Sequence, residues 1–182
     1  MKYSTEYRVT KTGLRVGFRS AEPDEAGIMI DYLKRVCGET PFLLSLPEEV
    51  NYTEEGERDF LESYEKSPDS LMLNAYVDGE LAGNASFSPV SRVRRMRHRA
   101  TMGIAIFKEY SGQGIGYEMI SILIEEAKNC GYEILELDVY AKNTGARRLY
   151  EKVGFRECGA WKNAVKQPDG EYDDLILMQR EL

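Results

Sequence analysis

Apolar positions along this chain alternate first and then recur every three or four residues, which predicts a strand followed by a helix. Leu14, Val16 and Phe18 alternate with Arg15 and Gly17, and from Glu22 to Val36 the residues Ala26, Met29, Ile30, Leu33 and Val36 share one helical face. Gly38 to Asn51 keeps neither period and predicts an irregular link. Thr53 then caps a second helix, with Glu54 and Glu55 at its positive end and Phe60, Leu61 and Tyr64 expected to face inward. Leu71 to Val77 and Leu81 to Phe87 flank Asp78-Gly79-Glu80, and an Asp-Gly turn between apolar-rich runs predicts an antiparallel hairpin. Thr101 to Ile106 predicts a strand that leads into a helix carrying Met119, Ile120, Leu123 and Ala127, stopped by Gly131. Ile134 to Val139 reads as another strand and Thr144 to Val153 as a helix ended near Gly154. Two closing strands flank Pro168-Asp169-Gly170. The predicted order is β-α-α-β-β-β-α-β-α-β-β, with no repeat and no low-complexity linker, so an α/β chain of 182 residues is expected to form one domain over residues 1–182.

Between the strand Ile104-Ala105-Ile106 and the helix that follows lies Tyr110-Ser111-Gly112-Gln113-Gly114-Ile115-Gly116. A helix N-terminus leaves its first N–H groups unpaired and carries about half a positive charge. Glycines there let a pyrophosphate approach the backbone. The spacing excludes two common nucleotide motifs. The dinucleotide fingerprint G-x-G-x-x-G lacks its third glycine, since Tyr117 stands in that place, and no Lys-Ser or Lys-Thr pair follows as a P-loop requires.

Formal charge is −7 and the isoelectric point is near 5.0, which disfavours general nucleic-acid binding and favours cationic partners. Met1-Lys2-Tyr3-Ser4 opens without an apolar stretch and no window is long enough to span a bilayer, so a cytoplasmic protein with no membrane partner is expected. Cys37, Cys130 and Cys158 are far apart and His98 is the only histidine, so neither a disulfide framework nor a metal site is expected.

The stretch from Gly103 through Gly116, with Leu137 to Val139, Asn143, Ala146, Tyr150, Gly154 and Phe155, resembles the core of the GNAT (Gcn5-related) N-acetyltransferases, nearest to the branch of ribosomal-protein N-terminal and small-molecule amine acetyltransferases. The resemblance implies a mixed, mainly antiparallel twisted sheet flanked by helices, with a splayed pair of central parallel strands. It implies acetyl-CoA as co-substrate and direct acetyl transfer to a primary amine of a small molecule or peptide. The family pattern Gln/Arg-x-x-Gly-x-Gly/Ala falls on Ser111, Gly112, Gln113, Gly114, Ile115 and Gly116, where Ser111 departs from it. The cofactor's pantetheine amides can pair along Ile104, Ala105 and Ile106 as a peptide pairs with a sheet edge. Asn143 and Tyr150 lie two helical turns apart with the small Ala146 between them, and in the family a tyrosine at the Tyr150 position is commonly the acid that protonates the departing thiolate. Many relatives carry a glutamate on the strand before the glycines, where this chain has Thr101-Met102-Gly103. Glu39, Asp138 and His98 therefore stand as alternative general bases.

Each residue also has a plain structural reading. The glycines could make a tight turn, Tyr150 a core aromatic and Asn143 an N-cap, and the run Arg92, Arg94, Arg95, Arg97, His98 and Arg99 could be a solvated hairpin or bind an anion such as the 3′-phosphate of CoA. Asp173-Asp174 could attract an amine or simply end a strand. A catalytically silent acyl-CoA-binding regulator is the alternative function, and the amine's identity and the oligomeric state, homodimer included, are left open.

Overall fold

The computed structural model describes residues 1–182. Eight strands form one sheet in the order β1-β2-β3-β4-β5-β6-β8-β7. They are β1 (Glu6–Val9), β2 (Arg15–Ser20), β3 (Leu71–Val77), β4 (Glu80–Pro89), β5 (Arg99–Ile106), β6 (Ile134–Tyr140), β7 (Arg156–Lys166) and β8 (Tyr172–Glu181). Helices α1 (Ala26–Glu39) and α2 (Glu54–Lys66) cover one face, α3 (Ile115–Asn129) and α4 (Thr144–Lys152) the other. Strand alternation serves both sides: on β3, Leu71, Leu73 and Ala75 join the α3 cluster while Met72 joins α1 and α2.

The β3–β4 turn places Asp78 at φ 50° and Gly79 at φ 89°, the paired positive values that a two-residue hairpin needs. Thr53 caps α2 by accepting the Gly56 N–H at 3.1 Å. The first helix begins at Ala26 rather than Glu22, because Pro23–Glu25 winds into a 3-10 turn whose Glu25 carboxylate accepts the Glu22 N–H at 2.9 Å. Phe60, expected inside, is 48% exposed, while its neighbour Leu61 is fully buried. Consecutive helical residues point about 100° apart, and on this helix, whose buried residues are Glu57 and Leu61, Phe60 falls at the solvent edge, where its ring meets Tyr64 at 5.2 Å. Periodicity also gave no sign of β1. Its apolar residues Tyr7 and Val9 are exposed on an edge strand, so no burial pattern marks it.

The one parallel pairing, β5 with β6, holds only three register pairs: Arg99 with Ile134, Ala100 with Leu135 and Thr101 with Glu136. Beyond them β5 follows β4 as far as Ile106, and β6 follows β8 as far as Tyr140. The two central strands therefore part from Met102 onward and leave a wedge between them. Tyr32 of α1 reaches into the adjoining ladder, where its hydroxyl accepts the Asn84 N–H at 3.1 Å and donates to the Ala105 carbonyl at 2.6 Å. Its ring is buried against Phe107, with centroids 4.8 Å apart.

Candidate active site

At the open end of the wedge, β5 turns into α3 through the glycine loop. Gly112 and Gly114 hold φ values of 77° and 88°, which an L side chain rarely adopts. A β-carbon on Gly114 would also lie 3.1 Å from Cβ of Thr10, and one on Gly116 would lie 3.0 Å from Cδ2 of Leu149. The loop is braced from the β1–β2 turn, where Thr12 donates to the Gln113 carbonyl at 2.8 Å, while the Gln113 side chain donates to the Glu109 carbonyl at 2.8 Å. Ser111 spends its N–H on the Lys108 carbonyl. The next five N–H groups, those of Gly112, Gln113, Gly114, Ile115 and Gly116, reach no acceptor in the chain. Five adjacent amide donors at the positive end of a 15-residue helix make a cradle for an anion the size of a pyrophosphate.

The cradle opens onto the free edge of β5. Ala105 turns its carbonyl toward β4 and Tyr32, so by strand alternation Ile104 and Ile106 turn their N–H and C=O groups into the wedge. Their side chains pack on the α3 cluster. On the far wall, Asn143 caps α4 by accepting the Ala146 N–H at 3.1 Å, and its amide NH₂ has no partner in the chain. Ala146 is half-buried against the same cluster. Tyr150 is buried with its ring 5.9 Å from that of Phe155, and burial pushes its phenol up to about 12. Its hydroxyl makes no hydrogen bond in the chain, yet it is not sealed from solvent. Such a group stays protonated at neutral pH and can donate into the space it faces.

The three candidate bases lie in different settings. The Glu39 carboxylate accepts the Lys108 N–H at 2.7 Å and the Arg35 Nε–H at 2.8 Å, and the first of these, with Arg35 after it, holds its pKa below the usual value. His98 precedes β5 at the end away from the glycines, separated from Ile106 by the whole strand, roughly 25 Å of rise. Asp138 lies on β6 two residues past the last β5–β6 pair, on the α1 side of the sheet, and has no hydrogen-bond partner. Asp138 is exposed, and partial desolvation, followed by the charge of Glu136, raises its pKa. A protonated phenol from α4 thus lies on one side of the sheet and a carboxylate of β6 without a hydrogen bond on the other.

The basic run lies at the His98 end, with Arg92 bound to Asp69 at 2.7 Å and Arg99 to Glu136 at 2.6 Å. Arg94, Arg95 and Arg97 are exposed and far along the strand from the cradle, which fits a solvated turn better than a phosphate site. No cluster of three or more potential metal ligands occurs, and no helix is long and apolar enough to cross a membrane. Tyr32, buried on the inner face of α1, is not among the residues that sequence reasoning singles out; a buried tyrosine must find a partner for its hydroxyl, and that is the one signal it leaves.

Residues 40–155 match the acetyltransferase (GNAT) family model. The chain is 31% identical over 114 residues to the ribosomal protein bS18-alanine N-acetyltransferase of Escherichia coli K12, covering 62% of this chain and 77% of that one. It is 28% identical over 111 residues to an L-amino acid N-acyltransferase of the same organism, covering 61% and 64%. Among solved structures, a GNAT-family acetyltransferase from Streptococcus pneumoniae superposes with a TM-score of 0.87 at 30% identity, covering 92% of this chain and 99% of that one. The chain belongs to the GNAT acetyltransferase family. It is an acetyl-CoA-dependent N-acetyltransferase that acts on an amine, and this enzyme reading stands over a silent acyl-CoA-binding regulator.

Proposed function

We propose that the amine, from a small molecule or a peptide, enters from the α1 side of the sheet and meets the acetyl group just past the last β5–β6 pair. In this reading Gly112 to Gly116 hold the pyrophosphate, Ile104 and Ile106 pair with the pantetheine amides, and the Asn143 NH₂ and the small Ala146 face the arm. Asp138 takes the proton of the incoming ammonium from one side of the sheet. Tyr150 supplies a proton to the departing thiolate from the other, so deprotonation and protonation occur at separate places and do not compete. The free thiols of Cys37, Cys130 and Cys158 suit a reducing cytoplasm.

The observation that carries this reading is the set of five unpartnered amides directly above a central strand pair that parts after three rungs. Acetyl-CoA at 100 times its dissociation constant should stabilise the protein by about 2.7 kcal/mol in a thermal-shift measurement, with NADH and ATP doing much less. An equal response to NADH would overturn the cradle. Release of free thiol with a panel of primary amines tests the transfer, and no release with any of them would overturn it.

A further inference from the structure

We propose that Asp173 is a seat for a cation in the acceptor groove, so that the preferred acceptor carries a second positive charge besides the reacting amine. This rests on the reading above that the Asp138 side of the sheet receives the amine.

Asp173 is 4% exposed, and its carboxylate makes no hydrogen bond with any group of the chain; Oδ2 is sealed from solvent without a partner. It lies on β8, where Leu175 pairs with Tyr140 and Leu177 with Asp138, so strand alternation puts Asp173, Leu175 and Leu177 on the face that carries Asp138. The link between α1 and α2 closes over this point. Tyr140 donates to the Leu43 carbonyl at 3.2 Å, its ring tilts against Phe42 at 5.8 Å, and Gln167 donates to the Pro41 carbonyl at 3.5 Å. Tyr140 stands opposite Leu175, two residues along β8 from Asp173 and on the same face, and its phenol is raised first by burial and then by the charge of Asp173.

No cation of the chain serves this carboxylate. Lys162 is bound to Asp174 at 2.8 Å, and Lys166 lies over the ring of Tyr172 at 5.6 Å. A buried charge without a partner is costly, and a ligand cation would relieve that cost. A single carboxylate on the face that carries the Tyr140–Phe42 pair suits an organic ammonium or guanidinium, whereas a hard metal ion needs a larger oxygen set. From Leu177, opposite Asp138, to Asp173 is four residues of strand, roughly 13 Å. The second charge therefore sits about that far from the reacting nitrogen, as in a long diamine, a polyamine or a peptide with a basic side chain.

The test compares α,ω-diaminoalkanes of increasing length with chain-matched monoamines on the wild type and on Asp173→Asn. The wild type should show a KM for the best diamine at least tenfold below that of its monoamine. Asp173→Asn should raise the diamine KM to the monoamine level while leaving the monoamine kcat and the KM for acetyl-CoA unchanged. Its melting temperature should hold or rise, because no hydrogen bond is lost. Equal treatment of both amines by the wild type, a diamine preference kept in the variant, or a variant that melts early with an altered KM for acetyl-CoA would each overturn the seat. Peptide amides with lysine or norleucine at the second position separate a peptide source from a polyamine, according to which series shows the charge preference that the variant loses. Calorimetric binding of diamine and monoamine gives the same comparison without turnover. Absence of acetylation thus counts against the roles of Asp138 and Tyr150, and equal binding against Asp173.

Discussion

The β5–α3 turn offers a ligand main-chain N–H groups set by two left-handed glycines, whereas the α1–α2 link and the β7–β8 hairpin offer side chains, among them Phe42, Leu44, Trp161 and Asp173. Leu44 and Trp161 are 73% and 55% exposed, and β7 breaks register with β8 at two places, around Cys158 and between Trp161 and Val165. A recognition surface made of backbone depends on chain geometry and little on which side chains surround it. One made of side chains on irregular segments can change its ligand while the sheet stays the same. The first kind suits a co-substrate common to a family, and the second suits an acceptor that differs from member to member.

The strongest test of this division acts on the chemistry between the two regions. Asp138→Asn and Tyr150→Phe should each lower kcat by about 10²–10⁴-fold with little change in the KM for acetyl-CoA, as steady-state kinetics would show. The pH profile adds a sign. The Asp138 pKa lies above the ordinary carboxylate value, so kcat/KM should fall as pH drops through it, and Asp138→Asn should abolish that acid limb. A raised pKa also means that Asp138 favours the fold only while protonated and loses that contribution as pH rises through its folded value. The Asn variant should therefore melt no lower than wild type at neutral pH. An acid limb unchanged in Asp138→Asn would move the base elsewhere.

Gly114→Val should weaken acetyl-CoA binding by about tenfold or more, because the branched side chain enters a left-handed position and presses on Thr10. Calorimetry should find the loss the same whichever amine is the acceptor. A loss that depended on the acceptor would erase the boundary between the two regions. The smallest effect belongs to the basic turn: changing Arg94, Arg95 and Arg97 together to Gln should leave the KM for acetyl-CoA within about twofold. A large rise would bring the 3′-phosphate to that end of β5.

Much of the backbone-built region was legible in the sequence. Strand, glycines and helix follow one another without interruption, and the spacing from Asn143 to Tyr150 fixes one helical face. The wedge itself was expected from family resemblance alone, since where two strands stop pairing is decided by their other neighbours, β4 and β8. Two readings elsewhere failed for local reasons. β1 turns its apolar residues outward, and Phe60 loses the inner face of α2 to Leu61. Asp173 was visible only as half of an acidic pair, because no spacing rule reveals that Asp174 finds Lys162 and Asp173 finds nothing.

The three rungs between β5 and β6 have a mechanical meaning as well. They make a seam across the middle of the sheet, with five strands on one side and three on the other. A molecule lying in the wedge with its amides on β5 acts as a short extra strand that closes this seam. Pulled from residues 6 and 181, the protein should tear first between β5 and β6, and with the wedge filled the force needed to start that tear should rise.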